Sequence, residues 1–324
     1  MSRSDHWSFP VEVQPQQQRL QFDLERAMRG VVLVHAEIPD EAFTAAILGT
    51  ERIGHGAVIG RDGLVLTIGY LITEAESIWL TTHDGSVVPG HALAYDPVSG
   101  FGLVLPLGRL DAPCLERGSA ANVAVDDEVI VIAHGGREHC LTARVIARRE
   151  FAGYWEYLVE KALFTAPPHP QWGGTALLDL DGRLIGIGSL ILQEAVDGDT
   201  FDANMFVPID LLEPVLDDML KLGRPAGPAR PWLGMYATAT QDRLIVGGLT
   251  QGGPAHKAGV RVGDVLLAVA GEPVARLADL FRKVWSVGPA GTEIPITLAR
   301  DGSPSHVRIQ SRDRGDFLFK PKQH

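Results

Sequence analysis

Between residues 22 and 212 the apolar positions fall in short runs separated by turn residues, with no sustained helical period. Ala57-Val58-Ile59 precedes Leu64-Val65-Leu66-Thr67 across Asp62-Gly63, and Ala176-Leu177-Leu178 precedes Leu184-Ile185-Gly186-Ile187 across Asp181-Gly182. Asp84-Gly85 breaks the chain in the same way. Asp-Gly between aliphatic or β-branched runs predicts a tight hairpin in which both central residues adopt positive φ. A succession of such strands predicts an all-β barrel or sandwich.

Helical spacing enters only at the end of this span. Leu212, Val215, Leu216, Met219 and Leu220 share one face of a predicted helix over 211–222 that closes the first domain. Residues 223–231, GRPAGPARP, are rich in Pro and Gly and read as a linker. Beyond it, Val265-Leu266-Leu267-Ala268-Val269 forms a buried strand. Leu277, Leu280, Phe281, Val284 and Val287 then return to helical spacing, and Asp301-Gly302 turns one last hairpin. The first 20 residues are polar and Gln-rich, which predicts a flexible arm, while Trp7 and Phe9 leave open an arm that lies on its own domain. The expected plan is an arm at 1–20, a β domain at 21–222, the linker, a second domain at 232–312 and a tail at 313–324.

Composition leaves this plan intact and narrows the partners. The chain has 324 residues, 45% of them apolar, and a formal charge of −11. That charge opposes nucleic acid or an anionic membrane as the main partner, because neutralising phosphates takes a surplus of Lys and Arg. Cys114 and Cys140 form no disulfide framework and read as small buried hydrophobes. The start, MSRSDHWSFPVEVQPQQQRL, has no apolar core of a secretory signal, and no run is long enough to span a bilayer. The expected location is therefore cytoplasmic, or periplasmic if a leader is missing from the chain.

The chemistry sits in three segments. His169 to Gly188, HPQWGGTALLDLDGRLIGIG, resembles the nucleophile segment of the HtrA/Deg serine proteases, NPGNSGGALLDLDGRLIGI, with the serine gone. Aligned on Ala176–Gly182, Gly173 falls at the serine; aligned on the glycine doublets, Trp172 does. Neither carries the hydroxyl that serine catalysis needs beside a base. Asp62–Ile72 is similar to the family's DGYILTNxHVV, which puts Tyr70 at the general-base histidine. A phenol with an ordinary pKa near 10 is a poor base at pH 7. Asp96–Val104 follows the family's DPxTDLAVL, putting Gly100 at the orienting aspartate. Gln171 stands at the glycine of the oxyanion loop, and His169 at the preceding asparagine.

The resemblance implies a mainly β fold: a trypsin-like double β-barrel followed by a circularly permuted PDZ domain of the α+β class. Gly253–Leu266 is similar to the family's GSPAxxAGLxxGDxI run, and Trp232-Leu233-Gly234-Met235 lies at its carboxylate-binding loop. That loop would take a protein C-terminus or an extended peptide, with backbone N–H groups capping the carboxylate and a strand edge pairing the chain. The alternative for Trp232 and Met235 is burial in the core. Tyr70, Gly100 and Gly173 together imply a pseudoprotease, leaning away from enzymatic activity. It would work as a peptide-binding scaffold and homotrimer, or in mixed oligomers with active paralogues. The alternative is an active endopeptidase whose nucleophile has moved to Ser99, Ser189 or Thr175. Another is an old cleft that still holds uncleaved polypeptide. No cofactor and no metal are called for: His134 and His139 lack the spacing of a ligand pair, and His55 reads as a turn residue.

Overall fold

The computed structural model describes residues 7–196, 199–240 and 243–319 and divides the chain into two compact units. The first comprises residues 1–149, 161–226 and 319–324, and the second 150–160 and 227–318.

The first unit holds two closed antiparallel barrels. Strands β1 (Val31–Glu37), β2 (Glu51–Val58), β3 (Val65–Ile68), β4 (Ser77–Thr81), β5 (Val87–Tyr95) and β6 (Phe101–Pro106) close in the order β1-β2-β3-β6-β5-β4. Strands β7 (Glu128–Ile132), β8 (Cys140–Gly153), β9 (Tyr157–Ala166), β10 (Ala176–Leu178), β11 (Leu184–Val196) and β12 (Asp199–Pro208) close in the order β10-β11-β12-β9-β8-β7. Closure removes strand edges and lets alternate side chains fill the interior. Val129, Val131, Leu141, Leu163, Leu177, Ile185 and Phe206 form the second barrel's core, all fully buried. The helix Glu213–Leu222 is capped by Gly223, whose φ of 71° is left-handed.

The Asp-Gly turns join strands as expected but by a different geometry at three of the four places. Asp301 (φ 50°) and Gly302 (φ 78°) are both left-handed, giving the two-residue loop between paired Arg300 and Ser303. At Gly63, Gly85 and Gly182 only the glycine has positive φ. There an aspartate side chain accepts backbone N–H groups of the turn instead: Asp62 from Leu64, Asp84 from Ser86, and Asp179 from Asp181 and Arg183. The longer loops make room for this local capping.

The described part of the arm, residues 7–20, lies on its own domain. The Phe9 N–H donates to the Glu138 carbonyl at 2.9 Å, and Phe9 and Val13 pack on the second barrel's core. Trp7 stands edge-on to Phe9, His139 and His169 at centroid distances of 5.2, 4.6 and 5.3 Å. Burial of the rings outweighs the polarity of the glutamines around them.

The second unit is built on a sheet of β13 (Met235–Thr240), β14 (Arg243–Leu249), β15 (Val265–Val269), β16 (Glu272–Pro273), β17 (Glu293–Arg300) and β18 (Ser303–Gln310). Its order is β13-β14-β15-β17-β18, with β16 beside β15, so β13 is an edge strand. The helix Leu277–Val287 buries Ala278, Leu280, Phe281 and Val284 into the core together with Leu233, Met235 and Ile296. Residues 150–160, the tip of the β8–β9 hairpin, belong to this unit, and Leu158 lies in its core. No helix among the described residues is long and apolar enough to cross a membrane.

Candidate functional site

Two regions hold the residues singled out from the sequence. In the first unit, Tyr70 and Gly173 come together. The Tyr70 hydroxyl donates to the Ser189 carbonyl at 2.9 Å, and a Cβ added at Gly173 would lie 2.8 Å from that oxygen. Gly100 joins through the chain next to Tyr70: its carbonyl accepts the Gly69 N–H at 2.6 Å. Burial pushes the Tyr70 phenol further above its usual range, so it is a weaker proton acceptor still. A cavity of about 500 Å³ opens here, lined by Leu33, Ile53, Tyr70, Leu71, Gln171 and Trp172 among others.

The loop 169–173 is held by its own hydrogen bonds. His169 is fully buried; its N–H donates to Asn204 Oδ1 at 2.6 Å, and Asn204 Nδ2 returns a bond to the His169 carbonyl at 3.1 Å. His169 Nδ1 accepts the Gln171 N–H at 3.1 Å, while Nε2 faces the His139 carbonyl at 3.1 Å. His55 is also buried, and its Nδ1 accepts the His134 N–H at 3.1 Å. His134 Nε2 in turn faces the Thr82 carbonyl at 3.0 Å. Burial lowers His55 to about 3, with His169, His134 and His139 adding repulsion, and burial lowers His169 to about 4. These imidazoles are neutral at pH 7 and serve the backbone.

Two of the three hydroxyls named as possible relocated nucleophiles are similarly engaged. Ser99 donates to Asp96 at 2.6 Å within a local turn, and Thr175 donates to the Trp172 carbonyl at 3.0 Å. Beneath the cavity, Arg52 donates to the carbonyls of Tyr70 (2.7 Å) and Thr73 (3.0 Å) and to Thr44 Oγ1 (2.7 Å). Thr44 also bonds Glu74, so this buried polar network fixes the backbone at Tyr70. Nothing in the sequence singled out Arg52 and Glu74. Among the described residues no cluster of three or more His, Cys, Asp or Glu could hold a metal ion. Cys114 and Cys140 are free thiols; burial pushes Cys140 up to about 12.

The second region is the Trp232–Met235 loop. Trp232, Leu233 and Met235 are buried, and Trp232 packs on Phe317 at 4.7 Å. Core packing and an exposed row of N–H groups are compatible here because Gly234 turns left-handed, at φ 66°. The side chains go inward while the N–H groups of Leu233 and Gly234 point to one spot. That spot is filled by the Glu156 carboxylate, which accepts Leu233 N–H at 3.2 Å and Gly234 N–H at 3.1 Å. Burial raises Glu156 to about 7 against the pull of these donors and of Arg314. Sequence reasoning missed Glu156. Its only local signal is an acid among Tyr154, Trp155 and Tyr157 at a hairpin tip, which does not name a partner 77 residues away.

Comparison with known proteins agrees with this architecture. Residues 54–187 match the trypsin-like peptidase domain, and residues 231–310 match the PDZ domain. The chain is 26% identical over 272 residues to a probable periplasmic serine endoprotease, DegP-like, of Pseudomonas fulva, covering 80% of this chain and 55% of that protein. It is 25% identical over 277 residues to the corresponding protein of Halomonas elongata, covering 82% and 57%. The chain thus spans about half the length of the curated relatives it matches. Among solved structures, the HtrA-type protease AlgW with tripeptide superposes with a TM-score of 0.53 at 19% identity, covering 92% of this chain and 96% of that one. A serine endoprotease from Yersinia pestis gives 0.53 at 23%, covering 89% and 95%. The expected cytoplasmic location is corrected by these relatives, which are periplasmic. The chain carries a trypsin-like peptidase domain followed by a PDZ domain, and over most of its length it is similar to DegP-like serine endoproteases.

Proposed function

We propose that this protein is a pseudoprotease: the double barrel acts as a scaffold, and the PDZ unit binds the C-terminus or an extended segment of another polypeptide. The observation that carries the reading is the pairing of Tyr70 with Gly173, where the family's chemistry needs a histidine beside a serine. With Gly100 at the aspartate position, none of the three side chains can act as nucleophile, base or orienting acid. The imidazoles nearest the cleft, His55 and His169, have Nδ1 committed to backbone N–H groups.

Binding would use two features of the PDZ unit. Consecutive N–H groups at Leu233 and Gly234 suit a terminal carboxylate, and the open edge of β13 suits the preceding residues as an added strand. Assembly into homotrimers, or into mixed oligomers with active paralogues that the chain would regulate, would multiply weak sites through effective concentration. The periplasmic relatives favour the same compartment as the setting.

Turnover of casein and of peptide libraries, with labelling by a serine-reactive fluorophosphonate, tests the loss of catalysis. The expected result is no cleavage and no label. Cleavage that disappears on substitution of a cleft residue, or covalent labelling of Ser99, Ser189 or Thr175, would return the chain to the serine endopeptidases.

A further inference from the structure

The Trp232–Met235 loop already holds a carboxylate, and the chain supplies it. Glu156 sits between the end of β8 at Gly153 and the start of β9 at Tyr157, with a left-handed φ of 63° that a non-glycine residue adopts only when its surroundings hold it there. Its Oε1 accepts two consecutive N–H groups, from Leu233 at 3.2 Å and Gly234 at 3.1 Å. Oε2 takes a longer contact of 3.4 Å from Leu233. One carboxyl group on adjacent backbone donors is the arrangement that captures a peptide terminus.

The rest of the tip is fastened around the same unit. Tyr154 stands edge-on to Tyr236 of the edge strand β13 at 6.2 Å. Glu150 bonds both Arg276 and Arg282, at the start and within the helix Leu277–Val287, and Glu160 pairs with Arg282 at 3.4 Å. Leu158 lies in the core beside Leu233 and Met235. The tip therefore engages the carboxylate loop, the edge strand and the helix, which are the three parts of the PDZ unit that a bound peptide would use.

We propose that Glu156 is an internal stand-in for a peptide's terminal carboxylate, keeping the PDZ site closed until an incoming C-terminus displaces the hairpin tip. This rests on the reading of the loop as a peptide site. Two carboxylates cannot share the two N–H groups, so binding requires the tip to leave. Apparent affinity is then the intrinsic affinity reduced by the fraction of molecules in which the site is open. The aromatic packing of Trp155 on Tyr157, stacked at 5.6 Å, moves with the tip and gives it a signal of its own.

The test compares the full chain with its Glu156→Ala variant, using fluorescence polarisation of a degenerate decapeptide pool with free C-terminal carboxylates and the same pool as C-terminal amides. An open fraction of about 1–10% in the natural chain predicts that Glu156→Ala binds the free-acid pool about 10- to 100-fold more tightly, with the gain absent for the amides. Equal affinity of the two chains for the free-acid pool overturns the closed-site proposal and leaves the peptide reading standing. Binding by neither chain overturns both. A second measurement on the natural chain does not depend on the variant's folding. Saturating free-acid peptide should raise amide hydrogen exchange at 155–157, and unchanged protection there at saturation overturns the proposal.

Discussion

Tyr70 and Gly173 share one volume: a side chain at 173 would begin 2.8 Å from the phenolic oxygen that bonds Ser189. On the pseudoprotease reading, position 173 is thus not a vacancy that one substitution refills. Gly173→Ala should cost about 1–3 kcal/mol through overpacking. Tyr70→Phe should cost about 1 kcal/mol by leaving the Ser189 carbonyl unpaired. With the oxygen gone, most of the Gly173→Ala penalty should go too. Urea unfolding of the four chains of the double-mutant cycle checks this, with a coupling of about 0.5–3 kcal/mol expected; strict additivity would show that the two residues do not compete.

On the same reading, this contact constrains any restoration of activity. Gly173→Ser alone should remain inert towards casein and fluorophosphonate, because its side chain starts against the Tyr70 phenol and the nearby His55 has Nδ1 committed to the His134 N–H. Measured esterase turnover by this single variant above the natural chain would falsify the assignment of Tyr70 as the group facing position 173.

Arg52, which lines the same cavity, is expected to matter more for stability. It is 4% exposed and donates to the carbonyls of Tyr70 and Thr73, while Thr44 links it to the buried Glu74. Arg52→Met removes the donors and leaves Glu74 without its compensating charge, at a cost of about 3–5 kcal/mol. Arg52→Lys should recover only part of this, since an ammonium cannot span the fork that the guanidinium makes. Chemical denaturation of both variants provides the check, and a loss within 0.5 kcal/mol for Arg52→Met, the range of ordinary surface substitutions, would contradict the network's role.

What could be read from the sequence follows the range of the interactions involved. Hairpins at Asp62-Gly63 and Asp301-Gly302 and the helix on Leu277–Val287 depend on neighbours in the chain, and pattern alone located them. The strand Val265–Val269 was legible too, yet Asp264 just before it pairs with Arg300, 36 residues on. No spacing rule points to that partner. The arm stayed open between two readings for a related reason: glutamines dominate its composition, while two aromatic rings and Val13 decide where it lies. Tyr70, Gly100 and Gly173 were identified by position in a resembling motif, and their proximity needed the barrels. Glu156 could not have been found at all, because its role arises from a hairpin that leaves one unit to join the other.

Acid should unfold the first unit early. His55 and His169 titrate near 6.5 when exposed but at about 3 and about 4 in the folded chain, so between those values the unfolded state binds more protons. Their contribution is complete above pH 6.5 and is lost as pH falls toward 4, at up to about 1.4 kcal/mol per pH unit for each proton. Urea midpoints should fall from pH 7 to pH 4.5, and His169→Gln should flatten the dependence. A pH-independent midpoint over that range would mean these imidazoles titrate alike in the folded and unfolded chains.

Glu156 works in the opposite sense. Its folded value, about 7, lies above the 4.5 of an exposed glutamate, because desolvation at the loop outweighs the N–H donors and Arg314. Docking of the tip therefore takes up a proton; its stabilisation is complete below pH 4.5 and is lost as pH rises through 7. Protection of the Leu233 and Gly234 amides, corrected for base catalysis of exchange, should fall between pH 5.5 and 8, by up to tenfold per pH unit for this single proton. Peptide affinity should vary less, because an incoming carboxylate enters the same desolvated spot and offsets the proton that Glu156 releases. Glu156→Gln cannot ionise, so its amide protection should be flat across the same range. If the natural chain and Glu156→Gln show the same pH profile, the carboxyl group is not what titrates the loop.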